Sequence, residues 1–109
     1  MKHLKDLIPD ASAVLKMDLK NLGHAVLHCV HSSKEPLKRK ELAKTLAEPY
    51  HSDFRHDVAH AVEEALGWLG AQCFLGASPY DEDLIFITRL GKDQLKDGEH
   101  PWVPADVLE

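Results

Sequence analysis

The sequence predicts one α+β domain in which three helices precede a β-hairpin. Two observations carry this prediction. Apolar residues recur with helical spacing in three segments between positions 18 and 70, and two short segments rich in strand-forming residues follow between positions 72 and 88. The length of 109 residues fits one domain, and a composition of 44% hydrophobic and 28% charged residues is typical of a chain that folds around a core.

The N-terminal segment predicts a short helical turn before the first long helix. Pro9-Asp10 interrupts the opening apolar residues, and Ser12 is a suitable cap for the turn that follows. The first long helix is expected from Asp18 to about Ser32, because five apolar residues fall within one arc of the helical wheel. These residues are Leu19, Leu22, Val26, Cys29 and Val30.

Two more helices are expected in the middle of the chain. The residues from Ser33 to Pro36 break the periodic pattern, and a second helix runs from Leu37 to Ala47. A third helix begins after the capping residues Ser52 or Asp53 and ends at Gly70. Its predicted buried stripe consists of Phe54, Val58, Ala61, Val62, Ala65, Leu66, Trp68 and Leu69.

The predicted hairpin comprises strands at Gln72 to Leu75 and at Leu84 to Thr88, joined by a long loop from Gly76 to Asp83. Beyond Gly91 the chain becomes polar, so we expect a domain over 1–91 and a polar tail or truncated linker over 92–109. Three helices followed by a hairpin, with a helix-turn-helix in the second and third, is the order of a winged helix-turn-helix fold.

Three short motifs also carry a family resemblance. They are Leu7-Ile8-Pro9-Asp10-Ala11, an A-x-x-E-A-x-x-W-L pattern over 61–69, and Phe86-Ile87-Thr88-Arg89-x-Gly91. Together they resemble the N-terminal winged-helix domain of uncharacterised bacterial proteins, which often precedes a C-terminal domain sometimes linked to abortive infection. The resemblance implies the fold and a bacterial regulator or defence-type protein, and it implies no catalytic or ligand-binding residue.

The cysteines and the hydropathy pattern indicate where the protein works. Cys29 and Cys73 have neither disulfide-framework nor metal-finger spacing, so they are expected to be reduced. No apolar run approaches the roughly 20 residues of a membrane helix, and the N-terminus lacks the apolar core of a secretory signal. We therefore expect a cytoplasmic protein without a membrane partner.

The sequence contains no pattern that is typical of an enzyme. A nucleophile beside an orienting base, a phosphate-binding glycine loop and a dinucleotide fingerprint are all missing from the sequence. We therefore predict no catalytic residues, no enzymatic activity and no cofactor.

Eight histidines raise the question of metal binding. His24, His28 and His31 are spaced to lie on one exposed face of the first long helix, and His56 and His60 repeat the i, i+4 spacing in the third. Exposed histidines without supporting partners usually remain solvated. This interpretation is favoured over a metal site at either group.

The charge distribution predicts double-stranded DNA as one partner. The net charge is −5, but residues 34–56 carry six basic and four acidic groups, whereas 57–109 carry three basic and eleven acidic groups. Winged helices neutralise phosphates with basic residues on the second and third helices. The candidate DNA contacts are Lys38, Arg39, Lys44, His51 and Arg55.

A second interpretation is a protein-interaction or dimerisation module without DNA binding. The exposed side of the third helix carries Asp57, Glu63 and Glu64, and the predicted wing is Asp81-Glu82-Asp83 with no basic residue. These carboxylates repel phosphate. Under this interpretation the wing and the exposed face of the third helix form the interface. For a dimer of the chain, a twofold pairing through the first helix or the tail is the simplest arrangement.

Overall fold

The structure, a computed structural model, describes residues 2–33, 35 and 37–96. This part of the chain is an α+β fold with a small antiparallel sheet whose strand order is β1-β3-β2. The elements in chain order are α1 (Leu4–Leu7), α2 (Ala11–Lys16), α3 (Leu19–His31), β1 (Leu37–Lys38), α4 (Arg39–Ala47), α5 (Ser52–Ala71), β2 (Leu75–Ser78), β3 (Asp81–Ile87) and α6 (Arg89–Lys96).

The long helices agree with the prediction, except at their first turns. Asp18 caps α3 by accepting a hydrogen bond from the backbone N–H of Asn21. Leu19 and Phe54, which were expected to be buried, are 40% and 42% exposed. The reason is that α3 and α5 begin one turn before they reach the core, and their first large buried side chains are those of Leu22 and Val58.

The second helix was predicted to begin at Leu37 but begins at Arg39, because Leu37 and Lys38 form the strand β1. They pair with Ile85 and Leu84 of β3 in antiparallel register. Leu37 is half-buried against the core, while Lys38 is exposed. The hairpin thus pairs with the segment that leads into α4 and fixes where this helix starts.

The hairpin differs from the prediction at both strands. Gln72 is no strand residue, since Gln72 and Cys73 form a turn in which Cys73 has φ 63°. The predicted long loop from Gly76 to Asp83 is also wrong: only Pro79 and Tyr80 separate β2 from β3. Gly76 pairs with Phe86. A Cβ added at Gly76 would lie only 2.8 Å from Cζ of the Phe86 ring, so the ring leaves no room for a side chain at this position.

The chain continues as a helix where a polar tail was expected. The Thr88 hydroxyl accepts a hydrogen bond from the Gly91 backbone N–H at 3.0 Å and donates one to the Cys73 carbonyl at 2.5 Å. It thereby starts α6 and ties it to the turn after α5. Residues 92–96 are consequently helical, and residues 97–109 lie outside the described part of the chain.

The N-terminal helices close one side of the core. Leu4, Ile8 and Val14 are buried in this core. The residue that caps α2 is Asp10 rather than Ser12, because the Asp10 side chain accepts a hydrogen bond from the Ser12 N–H. The buried Tyr50 donates a 2.6 Å hydrogen bond to the Ile8 carbonyl and joins this segment to the α4–α5 turn. Among the described helices, none combines the length and apolar character needed to cross a membrane.

Gly91 has no room for a larger side chain, because a Cβ at this position would collide with the carbonyl oxygen of Phe74 and lie 2.8 Å from Cγ2 of Ile87. We expect Gly91→Ala to lower the free energy of unfolding by about 1–3 kcal/mol, the usual cost of overpacking. Urea titration followed by circular dichroism measures this change.

Gly67→Ala is the matched control, because Gly67 lies inside α5 and a Cβ added there would meet no atom of another described element within 4 Å. Alanine should raise the stability there by up to about 1 kcal/mol, since it favours helix more than glycine does. Equal effects of the two substitutions would contradict the packing of α6 against Phe74.

Candidate binding surfaces

A large cleft lies between the start of α4 and the turn end of the hairpin. We call it the acidic cleft; its volume is about 630 Å³, and its lining residues are Arg39, Lys40, Glu63, Asp81, Glu82 and Asp83. Four carboxylates face two basic side chains, so the cleft has a formal charge of −2. Its outer rim is formed by Asp81 and Glu82, which are both exposed.

Asp83 holds the hairpin against α4. Its carboxylate accepts a 3.2 Å hydrogen bond from the backbone N–H of Lys40, the second residue of α4. Helices leave their first N–H groups without an intrahelical partner, so a carboxylate at this position stabilises the helix start. The register of β2 and β3 shifts between Ala77 and Ser78, which lets β3 bend here, and the Asp83 N–H donates to the Asp81 carboxylate.

Arg39 is paired with an acidic residue of the third long helix. Its guanidinium donates to the Glu63 carboxylate at 3.1 Å, with the two side chains 39% and 53% exposed. An exposed pair of this kind contributes little to stability. The pair matters mainly for the local charge. Arg39 was predicted to contact a DNA phosphate, but its guanidinium already faces the carboxylate of Glu63.

Tyr80 stands at the tip of the hairpin and is 96% exposed. Its backbone N–H donates to the Ser78 hydroxyl, so the turn that carries the ring is ordered by a local hydrogen bond. The acidic residues Asp81 and Glu82 follow directly. An aromatic side chain therefore projects from the rim of the acidic cleft.

A second concave surface lies beside the α4–α5 turn. We call it the turn groove; its volume is about 290 Å³, and its lining residues are Lys44, Ala47, Glu48, Ser52, Arg55, His56 and Ala59. Arg55 is fixed at its edge, because Nε–H donates to the carbonyls of Glu48 at 3.0 Å and Tyr50 at 3.1 Å. In contrast to the acidic cleft, this groove has more basic than acidic side chains.

The structure divides the predicted DNA contacts among separate places. Arg39 lines the acidic cleft, whereas Lys44 and Arg55 line the turn groove. Lys38 is exposed in β1, and His51 is the exposed N-cap of α5, where its Nδ1 accepts a hydrogen bond from the Asp53 N–H at 3.2 Å. Of the five predicted contacts, Lys44 and Arg55 are the pair that the fold brings together.

The predicted histidine face of α3 is not an exposed cluster. His24 packs against Trp68 and Phe74 with ring centroids 6.0 and 6.3 Å apart, His28 is half-buried, and His31 alone of the three is exposed. The helical wheel could not show that Trp68 of α5 and Phe74 pack against His24, because both residues are distant from it in sequence.

His56 and His60 do lie together on α5, exposed, with ring centroids 4.5 Å apart. Even so, no three His, Cys, Asp or Glu residues of the described chain are grouped so that they could hold a metal ion.

Two further ionisable groups are in the core. Burial raises the pKa of the Cys29 thiol to about 12 and also raises the pKa of Tyr50, so both stay protonated at neutral pH.

The sequence patterns indicated no functional role for Tyr80 or Ala59 and no capping role for Asp83. They indicated Ser52 only as a helix cap and His56 only as a metal-ligand candidate, not as groove residues. The signal for Tyr80 was present, because Pro79-Tyr80 between two short apolar segments is typical of a tight turn. No local signal marked Asp83 as a cap, since it stabilises a helix that begins more than 40 residues earlier.

No protein-family model, curated protein or solved structure matches the chain, so the function rests on the chemistry of these surfaces.

Asp83→Ala should weaken the contact between hairpin and α4. It removes the acceptor for the Lys40 N–H, and loss of a helix cap costs about 0.5–2 kcal/mol. The free energy of unfolding from urea titration gives this value. Glu82→Ala removes the same charge from the same strand without removing the cap, so its effect should stay within about 0.5 kcal/mol; a matching loss in both variants would contradict the capping role.

Proposed function

We propose that the chain is a winged-helix module that binds another protein through the end of its hairpin. The order of α3, α4, α5 and the β2–β3 hairpin, with the short β1 paired to β3, supports the winged-helix part of the proposal. A reducing, cytoplasmic location belongs to the same proposal, since Cys29 and Cys73 are both free.

The observation that carries the proposal is the negative charge of the acidic cleft. A winged helix that binds DNA brings its wing and its third helix close to phosphates. Here that position holds Asp81, Glu82 and Asp83, and Glu63 offsets Arg39. A net charge of −2 repels the DNA backbone and attracts a positively charged protein surface.

The exposed face of α5 supports the same partner class. In a helix-turn-helix protein this face enters the major groove. It carries four exposed carboxylates in this chain, against the single exposed arginine Arg55. The four are Asp53, Asp57, Glu63 and Glu64. Insertion into a groove lined by phosphates would bring these charges close to charges of the same sign.

Tyr80 provides an anchor for such an interface. Tyrosine is enriched among the residues that contribute most to protein binding, because its ring covers a large apolar area with few rotatable bonds. At 96% exposure, nearly all of the Tyr80 surface is available for burial in a complex. The surrounding carboxylates add selectivity for a basic partner.

DNA binding is the second candidate function, and the turn groove is the observation that favours it. Lys44 and Arg55 come together there, at the junction of the two helices of the helix-turn-helix. The positive charge is nevertheless local, and the acidic cleft lies at the opposite end of α4. We therefore rank a protein partner above DNA.

Site-specific photocrosslinking tests the proposal. Tyr80 is replaced by p-benzoylphenylalanine in the full chain, which is expressed in the cells it comes from and irradiated. We expect one discrete adduct, whose mass distinguishes a second copy of the chain from a different protein.

The control places the same crosslinker at Asp93, an exposed position on α6 at the other end of the hairpin. Adduct formation at position 80 but not at position 93 supports the interface. Absence of any adduct at position 80, or identical adducts at both positions, would refute it.

A further inference from the structure

The turn groove contains an arginine whose orientation is already fixed. The Nε–H of Arg55 is held by the carbonyls of Glu48 and Tyr50. The two terminal nitrogens of the guanidinium make no hydrogen bond to any described residue, and Arg55 lines the groove. A guanidinium held in this way loses little conformational entropy when it binds an anion.

The backbone that holds Arg55 is itself anchored. The Pro49 carbonyl, between the two acceptors of Arg55, accepts a 3.0 Å hydrogen bond from the Lys5 ammonium. Tyr50 is 2% exposed and donates to the Ile8 carbonyl. Three successive carbonyls of the turn are thus bonded to side chains, so the groove is a preformed feature of the fold.

Small side chains leave room in front of Arg55. Ala47 and Ala59 line the groove from α4 and α5, and Lys44 stands on its α4 side. The Ser52 hydroxyl adds a hydrogen-bond donor. The groove therefore presents an ammonium, a guanidinium and a hydroxyl to the same space.

The charge of the groove selects anions. Lys44 and Arg55 contribute two positive charges and Glu48 one negative charge, while His56 is counted as neutral. The carboxylate of Glu48 limits affinity, so a singly charged carboxylate ligand gains little. A phosphate group has three oxygens and a charge close to −2, which suit a guanidinium fork together with a separate ammonium.

We propose that the turn groove binds a phosphate group through Lys44 and Arg55. The site lies outside the hairpin end, so it is a function beyond protein docking. A phosphorylated small molecule and the backbone of a nucleic acid both present this chemistry. The proposed function favours the first source, because a duplex also brings phosphates to the acidic cleft.

The test is a titration of the full chain with sodium phosphate, followed by amide and arginine Nε–H resonances in ¹H–¹⁵N correlation spectra. The pH is fixed, and sodium chloride keeps the ionic strength constant. We expect saturable shifts at Ser52 and at the Arg55 side chain. Shifts that do not saturate, or that chloride alone reproduces, would overturn the proposal.

Matched variants show whether the groove itself binds. Lys44→Gln should weaken phosphate binding about tenfold by removing one charge-assisted contact. Lys20→Gln removes the same charge from an exposed position of α3, outside both binding surfaces, and should change the dissociation constant less than about twofold. Equal weakening by both substitutions would indicate nonspecific attraction and overturn the site.

Arg55→Lys keeps the charge but removes the fork, and Ala59→Leu fills the groove. Either should abolish saturable binding. Circular dichroism checks the fold of each variant, and Ala59→Leu keeps the test valid if loss of the Arg55 hydrogen bonds unfolds the chain.

A second titration with a short DNA duplex identifies the source of the phosphate. Saturation by inorganic phosphate without duplex binding assigns the groove to a small molecule. Duplex binding that is lost in the Lys44→Gln variant also supports the phosphate site, but it contradicts the proposed protein-docking function. The titrations can therefore refute one proposal without refuting the other.

Discussion

The pairing of β1 with β3, reinforced by the hydrogen bond from the Lys40 backbone N–H to the Asp83 carboxylate, positions the acidic end of the hairpin. It places β3 over the start of α4, next to the paired Arg39 and Glu63. The N-terminus of a helix favours a nearby negative charge, which offsets part of the repulsion among the clustered carboxylates. The Asp83 carboxylate that stabilises the start of α4 therefore also contributes to the negative charge at this end of the molecule.

The two ends of α4 consequently present opposite charges to solvent. The start of the helix borders the acidic cleft, whereas Lys44, near its end, borders the turn groove. Between the groove and the core, the carbonyls of Glu48, Pro49 and Tyr50 accept hydrogen bonds from the basic side chains of Lys5 and Arg55. Arg55, predicted as a DNA contact, thus has a structural role in the turn between α4 and α5, and the terminal nitrogens of its guanidinium face the turn groove.

Sequence periodicity predicted the three long helices and the α+β class, since each helix buries one continuous apolar stripe. It did not predict β1 or the true extent of the hairpin strands, because two-residue pairing and the Gly76–Phe86 contact depend on partners distant in sequence. Periodicity also carries no information on which distant side chains meet in space, so five basic residues were predicted to form one DNA-contacting site. The structure shows that Glu63 pairs with one of them and that turn carbonyls hold another.

We propose that the charges on α4, α5 and the hairpin favour a protein over a nucleic acid as the macromolecular partner. Fluorescence anisotropy of a random-sequence duplex, measured with the intact chain across a salt series, tests this most directly. We expect no binding tighter than roughly 0.1 mM even at low salt. Micromolar binding that weakens steeply with salt and disappears in a Lys38→Glu, Lys44→Glu double variant would contradict it.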